Sequence, residues 1–171
     1  EGKGPILDAV SDFDELKALS LTKNWSRIET TYETVSLVKA ELPHTTCLIG
    51  FAGSPWTVAT YMVEGQSSKD YAKVKAWAYR DPCGFSSLIK LLVEATVKHL
   101  SEQILAGADV VKLFDSWAGV LSPCEFQKWV IEPTREICQR LKERHPHIKI
   151  IGFPKGAGVG YKDYINRTGI D

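Results

Sequence analysis

The chain has 171 residues, 44% hydrophobic and 25% charged, which suffices for one soluble-type domain with a sizeable core. Its 21 Lys and Arg balance 21 Asp and Glu, so a net charge of zero gives no electrostatic case for nucleic acid or an anionic membrane surface. No apolar run approaches the roughly 20 residues that span a bilayer.

Residues 1–5 carry no signal-peptide apolar region, and Met62 is the sole methionine, so the sequence reads as starting inside a longer protein. An apolar piece at 5–10 precedes Ser11 and Asp14, whose spacing predicts a capped helix through about Leu19. Trp25, Ile28, Tyr32, Val35, Val38 and Leu42 recur at helical spacing and predict an amphipathic helix that Pro43 ends. Residues 47–51 read as a buried strand. Ser54-Pro55 then supplies an N-cap and a proline at the first position of a short helix carrying Tyr61. Ser67 and Asp70 predict a further helix to about Tyr79, broken at Asp81-Pro82.

The clearest helix is 85–106. Ile89, Val93, Thr96, Leu100 and Ile104 share one face, Lys90, Glu94 and Lys98 another, and Gly107 stops it. Residues 110–114 are the next strand, ending in Asp115-Ser116. Ser122-Pro123-Cys124-Glu125 starts another helix, with Phe126, Val130, Ile137 and Leu141 on one face and Pro133 kinking or splitting it. A third strand at 148–152 and a short helix at 161–166 complete the order. The four cysteines, Cys47, Cys83, Cys124 and Cys138, form no C-x-x-C pair and read as reduced, mostly buried thiols.

Strands separated by long helices cannot pair as hairpins and imply parallel crossovers. Apolar runs of this kind suit parallel strands covered on both faces. The pattern predicts an α/β fold of about three parallel strands with their helices, as one domain over 1–171.

Sites in such folds gather at the C-terminal strand ends. Three such ends occur, at 53–55, 115–119 and 154–158, all small, polar or glycine-rich. Tyr61 offers a phenol to a carboxylate or a donor, or is a packing residue. Ser116 directs its hydroxyl to a pocket or caps a turn, and Asp115 is open to the same two readings. Lys155 can meet an anion. The 156–160 glycine run lacks the order of a phosphate loop. His145 and His147 lack the companions of a metal site.

Four segments resemble the uroporphyrinogen decarboxylase family: GFAGSPWTVATYMVEG (50–65), ILAGADVVKLFDSWAG (104–119), LSPCEF (121–126) and IIGFPKGAG (150–158). The resemblance extends from about Gly4 to Asp171 and implies part of a (β/α)8 TIM barrel. It implies a cytoplasmic homodimer, without metal or organic cofactor, that removes the carboxyl groups of the four acetate side chains of uroporphyrinogen III to give coproporphyrinogen III in haem biosynthesis. Tyr61 matches the family tyrosine beside the catalytic aspartate and the substrate. Ser116 matches the serine that hydrogen-bonds a substrate carboxylate. The family's Pro-Asp-Ala-Leu-Gly motif is absent, and Asp8 is not its equivalent. The family's substrate-binding arginines and its C-terminal histidine also fall outside this chain, and Trp117 stands where some relatives have histidine. The rival readings are the related zinc-dependent corrinoid methyltransferase barrels and a catalytically inactive piece. Since a (β/α)8 barrel takes about 250 residues, an internal portion of the enzyme is expected.

Overall fold

The structure is a computed structural model that describes residues 7–17, 25–66 and 68–171. Helix α1 (Phe13–Lys17) is followed by a 3-10 turn (Trp25–Ile28) and α2 (Glu29–Glu41). Strand β1 (Ile49–Gly53) leads into α3 (Pro55–Glu64), α4 (Ala72–Arg80) and α5 (Pro82–Leu105). Strand β2 (Val110–Asp115) leads through a 3-10 turn (Ala118–Val120) into α6 (Pro123–Phe126), a π turn (Gln127–Ile131) and α7 (Glu132–Arg144). Strand β3 (Lys149–Pro154), a 3-10 turn (Gly158–Gly160) and α8 (Tyr161–Thr168) follow.

The three strands pair in parallel in the order β1-β2-β3, with Ile49 opposite Val110 and Val110 opposite Lys149. Alternation assigns Gly50, Ala52, Val111, Leu113, Asp115, Ile150 and Gly152 to the face that the helices cover. There Trp56, Trp77, Phe85, Leu88 and Leu100 form a core under 3% exposed. The other face holds Phe51 at 61% and Phe153 at 42% exposed, with the Lys112 ammonium 4.9 Å from the Phe153 ring. Coverage on both faces, as the apolar runs imply, is therefore not what these strands have. One face packs on helices and the other is open, as for an arc of a barrel seen from inside.

Local chemistry departs from the sequence pattern at several places. Asp12, not Ser11, starts α1: its carboxylate accepts the N–H groups of Asp14 and Glu15, both at 3.0 Å, while Ser11 bonds to Glu15. Leu19 and Ser67 lie outside the described residues. Ser68 and Asp70 accept the N–H groups of Tyr71 and Ala72 ahead of α4. Asp81 does not merely break a helix. It caps α5 by accepting the Gly84 N–H at 2.9 Å, so that helix begins at Pro82. Pro133 is accommodated by the π turn just before it, which splits the long helix without ending it. No residue of α2 is fully buried. Three of the cysteines, Cys47, Cys83 and Cys124, are exposed. Only Cys138 is buried, and burial pushes its thiol up to about 12.

A tie from α5 to β1 has no sequence signature. The buried Gln103 accepts the Phe51 N–H at 3.0 Å and donates to the Phe51 carbonyl at 2.9 Å. It reaches the strand across Gly50, where an added Cβ would stand 2.8 Å from the Gln103 Oε1.

Candidate active site at the strand ends

β1 ends one residue short of β2, with Gly53 opposite Phe114, so the turns after them open on the same rim. The Ser54 N–H donates to the Phe114 carbonyl at 2.9 Å and carries the pairing one residue past β1. Pro55 then begins α3, its fixed φ suited to a first helical position. Ser54 holds the N-cap backbone geometry, but its buried hydroxyl makes no cap bond, so the cap expected there is one of position alone.

Thr57 and Tyr61 stand one helical turn apart on the same side of α3. Thr57 is buried and Tyr61 half-buried. Across from them, Asp115 ends β2 on the helix-facing side and is 1% exposed, and Ser116 begins the turn half-buried. The Thr57 hydroxyl donates to the Asp115 carboxyl at 2.5 Å and accepts the Trp117 N–H at 3.4 Å. The Trp56 indole N–H donates to the Trp117 carbonyl at 3.0 Å. Three groups at the end of β2 and in its turn, the Asp115 carboxyl and the Trp117 N–H and carbonyl, are thereby tied to the first turn of α3.

These ties place the Trp117 ring against two tyrosines, its centroid 6.2 Å from that of Tyr61 and 5.3 Å from that of Tyr71. Tyr71 adopts the left-handed backbone (φ 58°), which a bulky side chain rarely does and which costs about 1–3 kcal/mol. Tyr61 and Ser116 thus come to one rim, with Trp117 next to both.

Asp115 is electrostatically unusual. Burial pushes its carboxyl up to about 7, against the opposing pull of the Thr57 hydroxyl and the Trp117 N–H. Among the described residues its second oxygen is buried without a partner. A buried charge with no counter-charge favours the neutral form.

The third strand end joins the same rim. The Lys155 N–H donates to the Asp115 carbonyl at 2.9 Å, and the Lys155 carbonyl accepts the Gly119 N–H at 3.1 Å. Gly119 and Gly156 lie backbone to backbone, with no room for a Cβ at Gly119. A groove of about 340 Å³ lies between these two turns, lined by Gly119, Cys124, Gly156 and Asp163 among others; neither Tyr61 nor Ser116 lines it. The exposed Asp8 belongs to a stretch docked on the last turn of α3, through Leu7 N–H to the Gly65 carbonyl and Val10 N–H to the Met62 carbonyl. His145 and His147 precede β3 and so lie at the opposite rim from the strand ends. No group of three or more His, Cys, Asp or Glu is placed to hold a metal among the described residues.

Sequence reasoning passed over Thr57 and left Asp115 undecided. One signal was available: Val111, Leu113 and Asp115 alternate along β2, so the aspartate inherits the parity of the core.

The family model for uroporphyrinogen decarboxylase matches residues 1–171. Curated relatives called uroporphyrinogen decarboxylase include that of Rhodospirillum rubrum, 48% identical over the whole chain and 49% of the relative. That of Rhizorhabdus wittichii is 56% identical over 85% of the chain and 42% of the relative. The chain spans about half the length of the curated relatives it matches. Among solved structures, a methyltransferase from Methanosarcina mazei superposes with a TM-score of 0.70 over 97% of this chain and 46% of that one. At 16% identity that likeness speaks to the barrel fold alone.

Proposed function

This chain belongs to the uroporphyrinogen decarboxylase family, and on that premise we propose that the complete protein is a carboxy-lyase acting on uroporphyrinogen III. It removes the carboxyl groups from the four acetate side chains and yields coproporphyrinogen III in haem biosynthesis. It works as a cytoplasmic homodimer and needs no metal or organic cofactor. The observation that carries this reading is the family match across every residue of the chain.

The chemistry fits the substrate. Protonation of the pyrrole carbon adjacent to the one bearing an acetate turns the ring into an electron sink. The bond to the carboxylate carbon then breaks, its electron pair enters the ring and CO2 departs. A proton delivered to the resulting exocyclic methylene carbon completes the methyl group, and loss of the first proton from the ring carbon restores the pyrrole. The macrocycle thus does what a cofactor does elsewhere. An aspartate facing the pyrrole N–H groups stabilises the cation. In the family that aspartate belongs to a Pro-Asp-Ala-Leu-Gly motif, which this sequence does not contain. Tyr61 donates a hydrogen bond to it and favours its ionised form. Ser116, on the adjacent strand end, hydrogen-bonds a substrate carboxylate. The placement of Tyr61 and Ser116 at one rim, with Trp117 beside them, supports these two roles.

The test is direct. Full-length protein carrying this segment, incubated anaerobically with uroporphyrinogen III, is expected to form coproporphyrinogen III through partly decarboxylated intermediates. Unchanged substrate at enzyme concentrations that suffice for a known decarboxylase would refute the reading.

A further inference from the structure

The rim residues Tyr61 and Ser116 have a buried counterpart one layer below. Thr57 lies one helical turn before Tyr61, and Asp115 lies immediately before Ser116. The two buried groups meet directly, hydroxyl to carboxyl, at 2.5 Å. From this repeat we propose that Thr57 and Asp115 form a positioning pair, which sets the spacing of Tyr61 and Ser116 across the cleft. The inference rests on the decarboxylase reading.

Three observations carry it beyond ordinary packing. Thr57 has both of its polar roles engaged: it donates to Asp115 and accepts from the Trp117 N–H. A single hydroxyl therefore fixes the end of β2 and the second residue of the turn at once, with Ser116 held between them. The carboxyl is also a costly choice for a structural post. It is 1% exposed and has no ion pair among the described residues, and its second oxygen is left without a partner. A buried polar atom in that state loses its hydration without compensation, which an apolar residue of similar size would avoid. Finally, the links around the pair are directional. The Ser54 backbone N–H to the Phe114 carbonyl and the Trp56 indole N–H to the Trp117 carbonyl bracket it on both sides, so losing the central bond leaves the turn attached but free to shift. Neither Thr57 nor Asp115 need touch substrate; they act through Tyr61 and Ser116.

The experiment compares Thr57→Val, Thr57→Ser, Tyr61→Phe and the double variant Thr57→Val/Tyr61→Phe in the full-length protein. Turnover of uroporphyrinogen III is read together with amide exchange at Trp117. Valine keeps the shape of threonine and removes the hydroxyl, whereas serine keeps the hydroxyl. Thr57→Val is expected to lower kcat about 10-fold and speed exchange at Trp117, with Thr57→Ser within about 2-fold of wild type on both. In kcat the double variant is expected to fall no more than about 2-fold below Tyr61→Phe, because the pair reaches kcat through that tyrosine and acts through Ser116 on KM. Independent, multiplicative losses would overturn the proposal, and so would a Thr57→Val enzyme with wild-type kcat. Folding is checked by the thermal midpoint; if Thr57→Val fails to fold, Asp115→Leu replaces it and is held to the same criteria. Absence of turnover in the wild-type protein would instead count against the decarboxylase reading itself.

Discussion

A phenol that donates to a carboxylate changes how readily that carboxylate stays ionised, without itself exchanging atoms with the substrate. Tyr61→Phe in the full-length enzyme should therefore slow turnover about 10- to 100-fold rather than abolish it, since one such hydrogen bond contributes about 1–3 kcal/mol. Steady-state kinetics on uroporphyrinogen III check this, and wild-type kcat would remove Tyr61 from the chemistry. Ser116 is expected to act on binding, so Ser116→Ala should raise KM more than it lowers kcat. Asp115 makes a prediction about pH. Its carboxyl rises from 3.8 in the unfolded chain to about 7 in the fold. The folded state thus holds a proton that the unfolded state releases, and the associated stability is present below pH 3.8 and lost as pH rises toward 7. Asp171, held down to about 2 by Lys149 above all, acts in the opposite sense at lower pH, so the comparison must be between variants. Asp115→Asn should gain stability relative to wild type from pH 4 to 7 and keep a constant gain above it. Chemical unfolding at several pH values reads this directly, and parallel curves would contradict it. Asparagine retains the acceptor that Thr57 needs, so its activity loss should be smaller than that of Thr57→Val.

At the scale of elements, the strand-corner-helix of β1 and α3 was legible in the sequence because its signals are local. An apolar run, Ser54-Pro55 and a closing glycine lie within a few residues of one another, and Gly65 does take the left-handed conformation that ends α3. The same locality marked β2 and β3. The contacts that organise the rim are not local. Thr57 and Asp115 are 58 residues apart and Gln103 and Phe51 are 52 apart, so periodicity carries no trace of either pair. A threonine inside a helix and a glutamine on its face look like ordinary helix residues until the strand is beside them. The candidate site is thus half legible: pattern alone locates the end of β2 that Ser116 follows and the helix after β1 that carries Tyr61, while Thr57 and its contact with Asp115 leave no such pattern. Gly50 shows how tight the α5 to β1 tie is. Gly50→Ala would drive a Cβ to 2.8 Å from the Gln103 Oε1, and the expected loss is about 1–3 kcal/mol of stability. A denaturant midpoint at the wild-type value would mean that Gln103 moves aside without cost.

For the whole molecule, the open sheet face is the main fact. The strands form a three-stranded arc with Ile49, Phe51, Ile151 and Phe153 exposed, each at least 39% accessible. Among the described residues neither β1 nor β3 has a strand neighbour on its outer side. In a closed barrel such side chains fill the interior in layers, and unpaired edges invite association. The isolated 171-residue chain is therefore expected to self-associate with rising concentration and to show no turnover, and a monomeric, active chain would contradict that. The chain spans about half the length of the curated relatives it matches, so the proposed activity is tested on full-length protein. The measurement that tests the account most directly is CO2 released per uroporphyrinogen III by that complete protein. The account predicts four equivalents, with coproporphyrinogen III as the end product and a rate that falls about 10- to 100-fold in Tyr61→Phe. No CO2 from the wild-type protein, or a rate indifferent to Tyr61, would contradict it.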